Sequence, residues 1–195
     1  MLRICFGGSF NPIHHGHLIC ARAIAEARGY DQIDLIPTAQ PPHKPQDPVL
    51  APPDDRFKMC QLATYQSSLF AVNDIELCLN GPNFTIDTVR ELRRRGWQKV
   101  HWLIGADMLL YLPKWRQPAD LLAEVEFVIM ARPGWTLDWQ QLPAEYRHLQ
   151  RNVVEAPMID ISSTQIRNRV SQGLAVDYLT PEPVCLYIRE RGLYR

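Results

Sequence analysis

Long apolar runs are missing from this chain. None approaches the roughly 20 residues that a helix needs to cross a bilayer, which argues against a membrane-spanning protein. The first apolar stretch, Leu2 to Phe6, is too short for a signal-peptide core and runs straight into two glycines. An excess of either charge is missing too. Lysine plus arginine and aspartate plus glutamate number 21 each, so the overall field gives no reason to expect DNA, RNA or an anionic membrane as partner. A local basic pocket for a small phosphate compound is compatible with that balance. Cysteine is sparse, with five residues at positions 5, 20, 60, 78 and 185 and no C-x-x-C pair. An odd set of scattered thiols argues against a disulfide framework and for a reducing, cytoplasmic setting. There is no internal repeat and no low-complexity tract. There is also no G-x-G-x-x-G and no G-K-[ST], which removes the dinucleotide fingerprint and the P-loop.

What is present suits one domain over residues 1–195, with a small helical part from about 162 to 195: 195 residues, 46% of them hydrophobic. Leu2–Phe6 reads as a short buried strand stopping at Gly7-Gly8. His15–Arg28 reads as a helix, with Leu18, Ile19, Ala23, Ile24 and Ala27 on one face and Gly29 as its C-terminal glycine. Ile33–Pro37 is a second strand, so the chain opens as strand, glycine turn, helix, strand, the start of a parallel sheet. The stretch PTAQPPHKPQDPVLAPP is too rich in proline for helix or central strand and predicts a long loop over residues 37–53, functional or disordered. A helix follows over Asp54–Gln66, capped by Asp54 or Asp55, then strand candidates at Leu69–Asn73 and Ile75–Leu79. Thr85–Arg95 predicts a helix, Lys99–Ile104 a strand closing on GAD, and Phe127–Ala131 a strand closing on RPG. Trp135–Arg151 carries no clear pattern. Ile159–Ile161 predicts a short strand entering SSTQIRNRVSQG, and Glu182–Arg191 a terminal helix. In an open parallel sheet, ligands gather beyond the C-terminal ends of the strands, which is where the Gly, Asp, Arg and Ser residues fall.

GGSFNPIHHGH, from Gly7 to His17, is the densest cluster of chemistry. His14 and His17 are three apart and share a helix face, yet zinc needs three or four ligands and no third partner lies nearby. The residues are also compatible with an ordinary helix start bearing exposed histidines. A phosphate cradle has the stronger physical basis. The first turn of a helix offers free N–H groups and about half a positive charge. Gly7 and Gly8 clear side chains from the approach to the backbone. Ser9 can donate a hydroxyl, and His14 and His17 can each give a ring N–H to a phosphate oxygen. Gly16 keeps the helix surface bare for a flat base.

The cluster resembles the G-G-[ST]-F-[DN]-P-x-H-x-G-H signature of the H-x-G-H nucleotidyltransferase superfamily. ISSTQIR, Ile161 to Arg167, is similar to its second signature; read from the residues alone it is a Ser-capped helix start with an arginine one turn on. PPHK (Pro41 to Lys44), FTIDT (Phe84 to Thr88) and GADMLLYLPKW (Gly105 to Trp115) resemble the bacterial nicotinate-nucleotide adenylyltransferases, over nearly the whole chain. The resemblance implies a Rossmann-like, doubly wound α/β fold and adenylyl transfer from ATP, with Mg²⁺, to nicotinate mononucleotide. It implies that Gly8, Ser9, His14 and His17 hold the ATP phosphates, with His17 the main stabiliser of the transition state. Ser163, Thr164 and Arg167 would clamp the β- and γ-phosphates, and Lys44 would reach them from the proline-rich loop. Gly105 and Asp107 would meet the adenosine, Trp115 would stack on the pyridine ring, and the backbone at Thr85 would receive its carboxylate. The chain departs from the family pattern at Asn11, Phe84 and Arg116, where Asp, Tyr and an aromatic or histidine are common.

Overall fold

A computed structural model of the chain describes residues 1–42 and 48–195. Apolar strand segments alternate with helices, as a parallel sheet demands: β1 (Arg3–Gly8), α1 (His15–Arg28), β2 (Gln32–Pro37), α2 (Pro53–Thr64), β3 (Phe70–Val72), α3 (Thr85–Arg94), β4 (Val100–Gly105), α4 (Pro118–Glu124), β5 (Val125–Ala131), β6 (Val153–Glu155), α5 (Ser163–Ser171) and α6 (Glu182–Arg191). Tight 3-10 turns run over Ala106–Lys114, Trp139–Gln141 and Ala144–Asn152. All strand pairs are parallel, in the order β3-β2-β1-β4-β5-β6. The expected α/β, doubly wound sheet is therefore what the chain forms. After β1 the chain winds one way, and from β4 it winds the other, so the topology reverses between β1 and β4. A crevice opens outside the strand ends at such a reversal.

Successive strand residues face opposite sides of the sheet, which splits the core in two. Cys5, Trp102, Ile104, Phe127 and Ile129 pack with α3, α4 and the 3-10 turns. Ile4, Phe6, Leu103 and Val128 pack with α1, α2 and α6. α1 ends at Gly29, whose φ of +70° is left-handed and free of strain only for glycine. Its buried face is Ala21, Ile24 and Ala25, while Ile19 is 40% exposed. The stripe thus lies to one side of the expected one, because small alanines let the helix lie close on the sheet while His14 and His17 turn toward the crevice.

Three further expectations are corrected. Ile75–Leu79 is a turn, with Asn73 Oδ1 accepting from the Ile75 N–H at 3.1 Å; Ile75 is apolar because it is buried. The sixth strand is Val153–Glu155 rather than Ile159–Ile161. Neither Asp54 nor Asp55 caps α2. The helix starts at Pro53, which has no N–H to satisfy. Asp55 turns inward to accept from Tyr187 Oη at 2.7 Å and Arg191 Nε at 3.1 Å, fastening α6 to α2.

Candidate active site

Gly7 and Gly8 end β1, and the chain leaves through Ser9 and Phe10 into a cis Asn11–Pro12 bond. Phe10 holds a φ of +44°, a strained value for a side-chain-bearing residue. Packing fixes it: the Phe10 ring meets Phe6 and His17 edge-on, with centroids 5.5 and 5.2 Å away. A Cβ on Gly7 would come within 2.7 Å of the Trp102 ring, so glycine here lets the two strands flanking the crevice close on each other.

α1 then starts with His14 as its N-cap residue. The His14 and His17 rings stack, centroids 3.7 Å apart. The His14 backbone N–H donates to His17 Nδ1 at 3.3 Å. That bond makes Nδ1 the acceptor nitrogen, so neutral His17 carries its proton on Nε2. Burial, then His15, pulls His14 down to about pKa 4. Burial, then His14, lowers His17 well below the ordinary value. Both rings are therefore neutral N–H donors at pH 7 and not cations. A Cβ on Gly16 would press within 3.0 Å of His14 Nδ1, so the glycine makes room for the ring.

The C-terminal part of the chain fastens this loop. Arg167 Nη1 donates to Asn11 O at 2.9 Å, Ser163 Oγ to Pro12 O at 2.8 Å and Thr180 Oγ1 to Ile13 O at 2.7 Å. Three successive carbonyls are occupied. Ser162 caps α5 by accepting from the Gln165 N–H at 3.1 Å. That leaves the amides of Ser163 and Thr164 without a side-chain cap, at the positive end of the helix.

A cleft of about 1250 Å³ runs from this cradle across the switch point to α3. Gly8, Ser9, His14, His17, Thr85, Gly105, Asp107, Trp115 and Ser163 all line it. Asp107 folds back over the end of β4; a Cβ on Gly105 would sit 2.5 Å from its Oδ1. Trp115 stands at the far wall, its ring edge-on to Phe127 at 6.5 Å, with Nε1 buried and unpartnered among the described residues. Thr164 and Arg167 do not line the cleft. Arg167 donates to Asn11 O and, at 3.2 Å, to Thr164 Oγ1. Lys44 lies outside the described residues.

Sequence reasoning missed Arg56. It is fully buried, and its guanidinium donates to the carbonyls of Ala51 (2.8 Å), Ser9 (2.7 Å), Thr38 (2.6 Å) and Ala39 (3.0 Å). It joins the cradle to the loop after β2, which lines the cleft at Thr38. An arginine among the aspartates of a helix start reads as a solvated charge, so no local signal marks it. Ile159 and Ile161 were read as strand, but they line the cleft. Among the described residues no three His, Cys, Asp or Glu side chains gather as metal ligands.

A parallel sheet with a bare glycine turn, stacked imidazole donors and a crevice at its switch point defines a nucleotide-handling α/β protein. Residues 5–169 match the cytidylyltransferase-like family, and the chain belongs to it. Among its relatives are probable nicotinate-nucleotide adenylyltransferases of Bacillus pumilus, 41% identical with 97% of this chain and 96% of the relative covered, and of Opitutus terrae, 38% identical with 97% and 95% covered. The structure of Plasmodium falciparum nicotinic acid mononucleotide adenylyltransferase, solved in complex with NaAD, superposes with a TM-score of 0.77. It covers all of this chain and 98% of that one at 19% identity, a likeness of fold.

Proposed function

We propose that this chain transfers AMP from ATP to nicotinate mononucleotide, yielding nicotinate adenine dinucleotide and pyrophosphate, in NAD biosynthesis. The observation that carries the reading is one continuous cleft, of about 1250 Å³, lined at one end by His14 and His17 and at the other by Thr85 and Trp115. Pockets for a single drug-sized ligand run to roughly 1,000 Å³, so this one suits two nucleotides meeting head to head.

The acceptor's 5′-phosphate is already a nucleophile at neutral pH, so no general base is needed. Its oxygen attacks the α-phosphorus in line, the bond to the β-phosphate oxygen breaks, and pyrophosphate leaves with that electron pair. The chain's share is positioning and electrostatic stabilisation. His17 Nε2–H serves as donor to the α-phosphate oxygens, and Gly8, Ser9 and His14 hold the triphosphate. The amides of Ser163 and Thr164 receive its β- and γ-phosphates, with Arg167 bracing that helix start and Lys44 arriving from the proline-rich loop. Gly105 and Asp107 meet the adenosine, Trp115 stacks on the pyridine ring, and the Thr85 backbone takes its carboxylate. A divalent ion such as Mg²⁺, arriving with ATP, would neutralise charge on the leaving group. The five thiols are unpaired, which suits a cytoplasmic enzyme, and residues 1–195 act as one catalytic unit.

The test is pyrophosphate release from ATP or CTP against a panel of mononucleotides. Fastest turnover is expected with ATP and nicotinate mononucleotide. Preference for CTP, or for an acceptor lacking the pyridine ring, would overturn the reading.

A further inference from the structure

Arg116 follows Trp115 at the far end of the cleft, and its side chain reaches across the first turn of α3. Its guanidinium carbon stands 4.7 Å from the centroid of the Phe84 ring. Its Nη1 lies 3.5 Å from Asp87 Oδ2. Phe84 is the N-cap residue of α3 and Asp87 sits in the first turn, so one cation spans the helix start on both sides of Thr85. Phe84, Thr85 and Arg116 all line the cleft.

The electrostatics of this corner are mixed without Arg116. No side chain among the described residues caps α3, so its leading amides and the positive end of its dipole are available to an anion. Asp87 opposes that: a carboxylate in the first turn steadies the helix but repels a second negative group arriving at the same place. The guanidinium changes the balance. It neutralises Asp87, and the face of the Phe84 ring gives it a seat. A tyrosine at position 84 would add a hydroxyl that the guanidinium does not need.

We propose that Arg116 is a specificity-determining residue, whose guanidinium favours an acceptor ring bearing a carboxylate over one bearing an amide. The proposal rests on the reading that the α3 start receives the ring substituent of nicotinate mononucleotide. The amide differs from the acid by one negative charge at that point, so a nearby cation separates the two while other contacts treat them alike. The Arg116 side chain is 52% exposed, and exposed charges interact weakly. The effect is accordingly a bias and not an absolute gate.

The experiment measures kcat/KM for nicotinate and nicotinamide mononucleotides at saturating ATP, in the wild type and in Arg116→Gln, Arg116→Lys and Asp87→Asn. The acid-over-amide ratio should fall about two- to fivefold in Arg116→Gln, recover most of that in Arg116→Lys, and rise in Asp87→Asn. Salt raised from about 0.05 M to about 0.5 M should pull the wild-type ratio toward that of Arg116→Gln, because screening acts on the same exposed charge. Equal losses with both acceptors in Arg116→Gln would mean a structural role only and overturn the proposal, leaving the substrate reading intact. A wild type that favours the amide, or accepts neither compound, would overturn both.

Discussion

At the His14–His17 end of the cleft, the ligand-facing groups are enclosed and fastened; at the Thr85–Trp115 end they stand on half-exposed side chains. The first end is braced by the carbonyl contacts to Arg167, Ser163 and Thr180, by the stacked rings, and by a strained Phe10 locked in aromatic packing. The second relies on Arg116 lying over Phe84 and on a Trp115 whose Nε1 has no partner among the described residues. The difference fits the proposed chemistry. Transition-state stabilisation needs dipoles fixed before charge develops, whereas choosing an acceptor needs only a difference in affinity, which looser groups can supply. Arg56 links the first end to the loop after β2, donating to Ser9 on one side and to Thr38 and Ala39 on the other.

The largest expected effect comes from cutting that link. Arg56→Met leaves four carbonyls without their donor, at a cost of several kcal/mol in folding stability, since each buried acceptor left unsatisfied costs roughly 1–3 kcal/mol. Urea unfolding measures it, and an unchanged midpoint would remove Arg56 as a brace. Next is the braced end alone. His17→Ala should lower turnover by on the order of a hundredfold or more, as for loss of one transition-state donor. Pyrophosphate release within a few fold of wild type would take His17 out of the mechanism.

The braced end also predicts a pH dependence. Unfolded imidazoles titrate near 6.5, but burial and His15 hold folded His14 near 4. Between those values the unfolded chain binds the extra proton. The His14 contribution is therefore whole above pH 6.5 and is lost as pH falls toward 4, by about 1.4 kcal/mol per pH unit. His17, lowered in the same direction by its burial, adds to the slope. Unfolding at pH 7.5 and pH 5 should show a smaller drop in His14→Gln than in the wild type; equal drops would mean the ring is not held neutral. The smallest effect is expected at the loose end. Trp115→Ala should raise KM for the mononucleotide about tenfold, the scale of one stacked base, with KM for ATP nearly unmoved. Parallel rises in both would show that the two ends are not independent.

Much of this was legible in residue order. Alternation of strand and helix predicts the parallel sheet, and Gly7 to His17 predicts the cradle, because a glycine turn feeding a histidine-rich helix start is a local pattern with a local cause. Failures came where the cause is distant. Ile159 and Ile161 are apolar to line the cleft and not to pair a strand, and Ile75 is apolar because a turn is buried. The pair Asp55 and Arg56 reads as a solvated helix start, yet each side chain is buried by contacts far away in sequence, Tyr187 and Arg191 for one, Ser9 and Thr38 for the other. The H-x-G-H motif suggests ring N–H donors but not their charge; only their enclosure shows them neutral.

The fastening of loop 11–13 also sets an order of assembly. A chain emerging from the ribosome has made all six strands once residue 155 is in place, yet Ser163, Arg167 and Thr180 do not exist at that moment. The sheet can be complete while the first loop to be synthesised still lacks its anchors. The proposed grip on the triphosphate is then among the last properties a newborn molecule acquires, arriving together with the α6 side of the core.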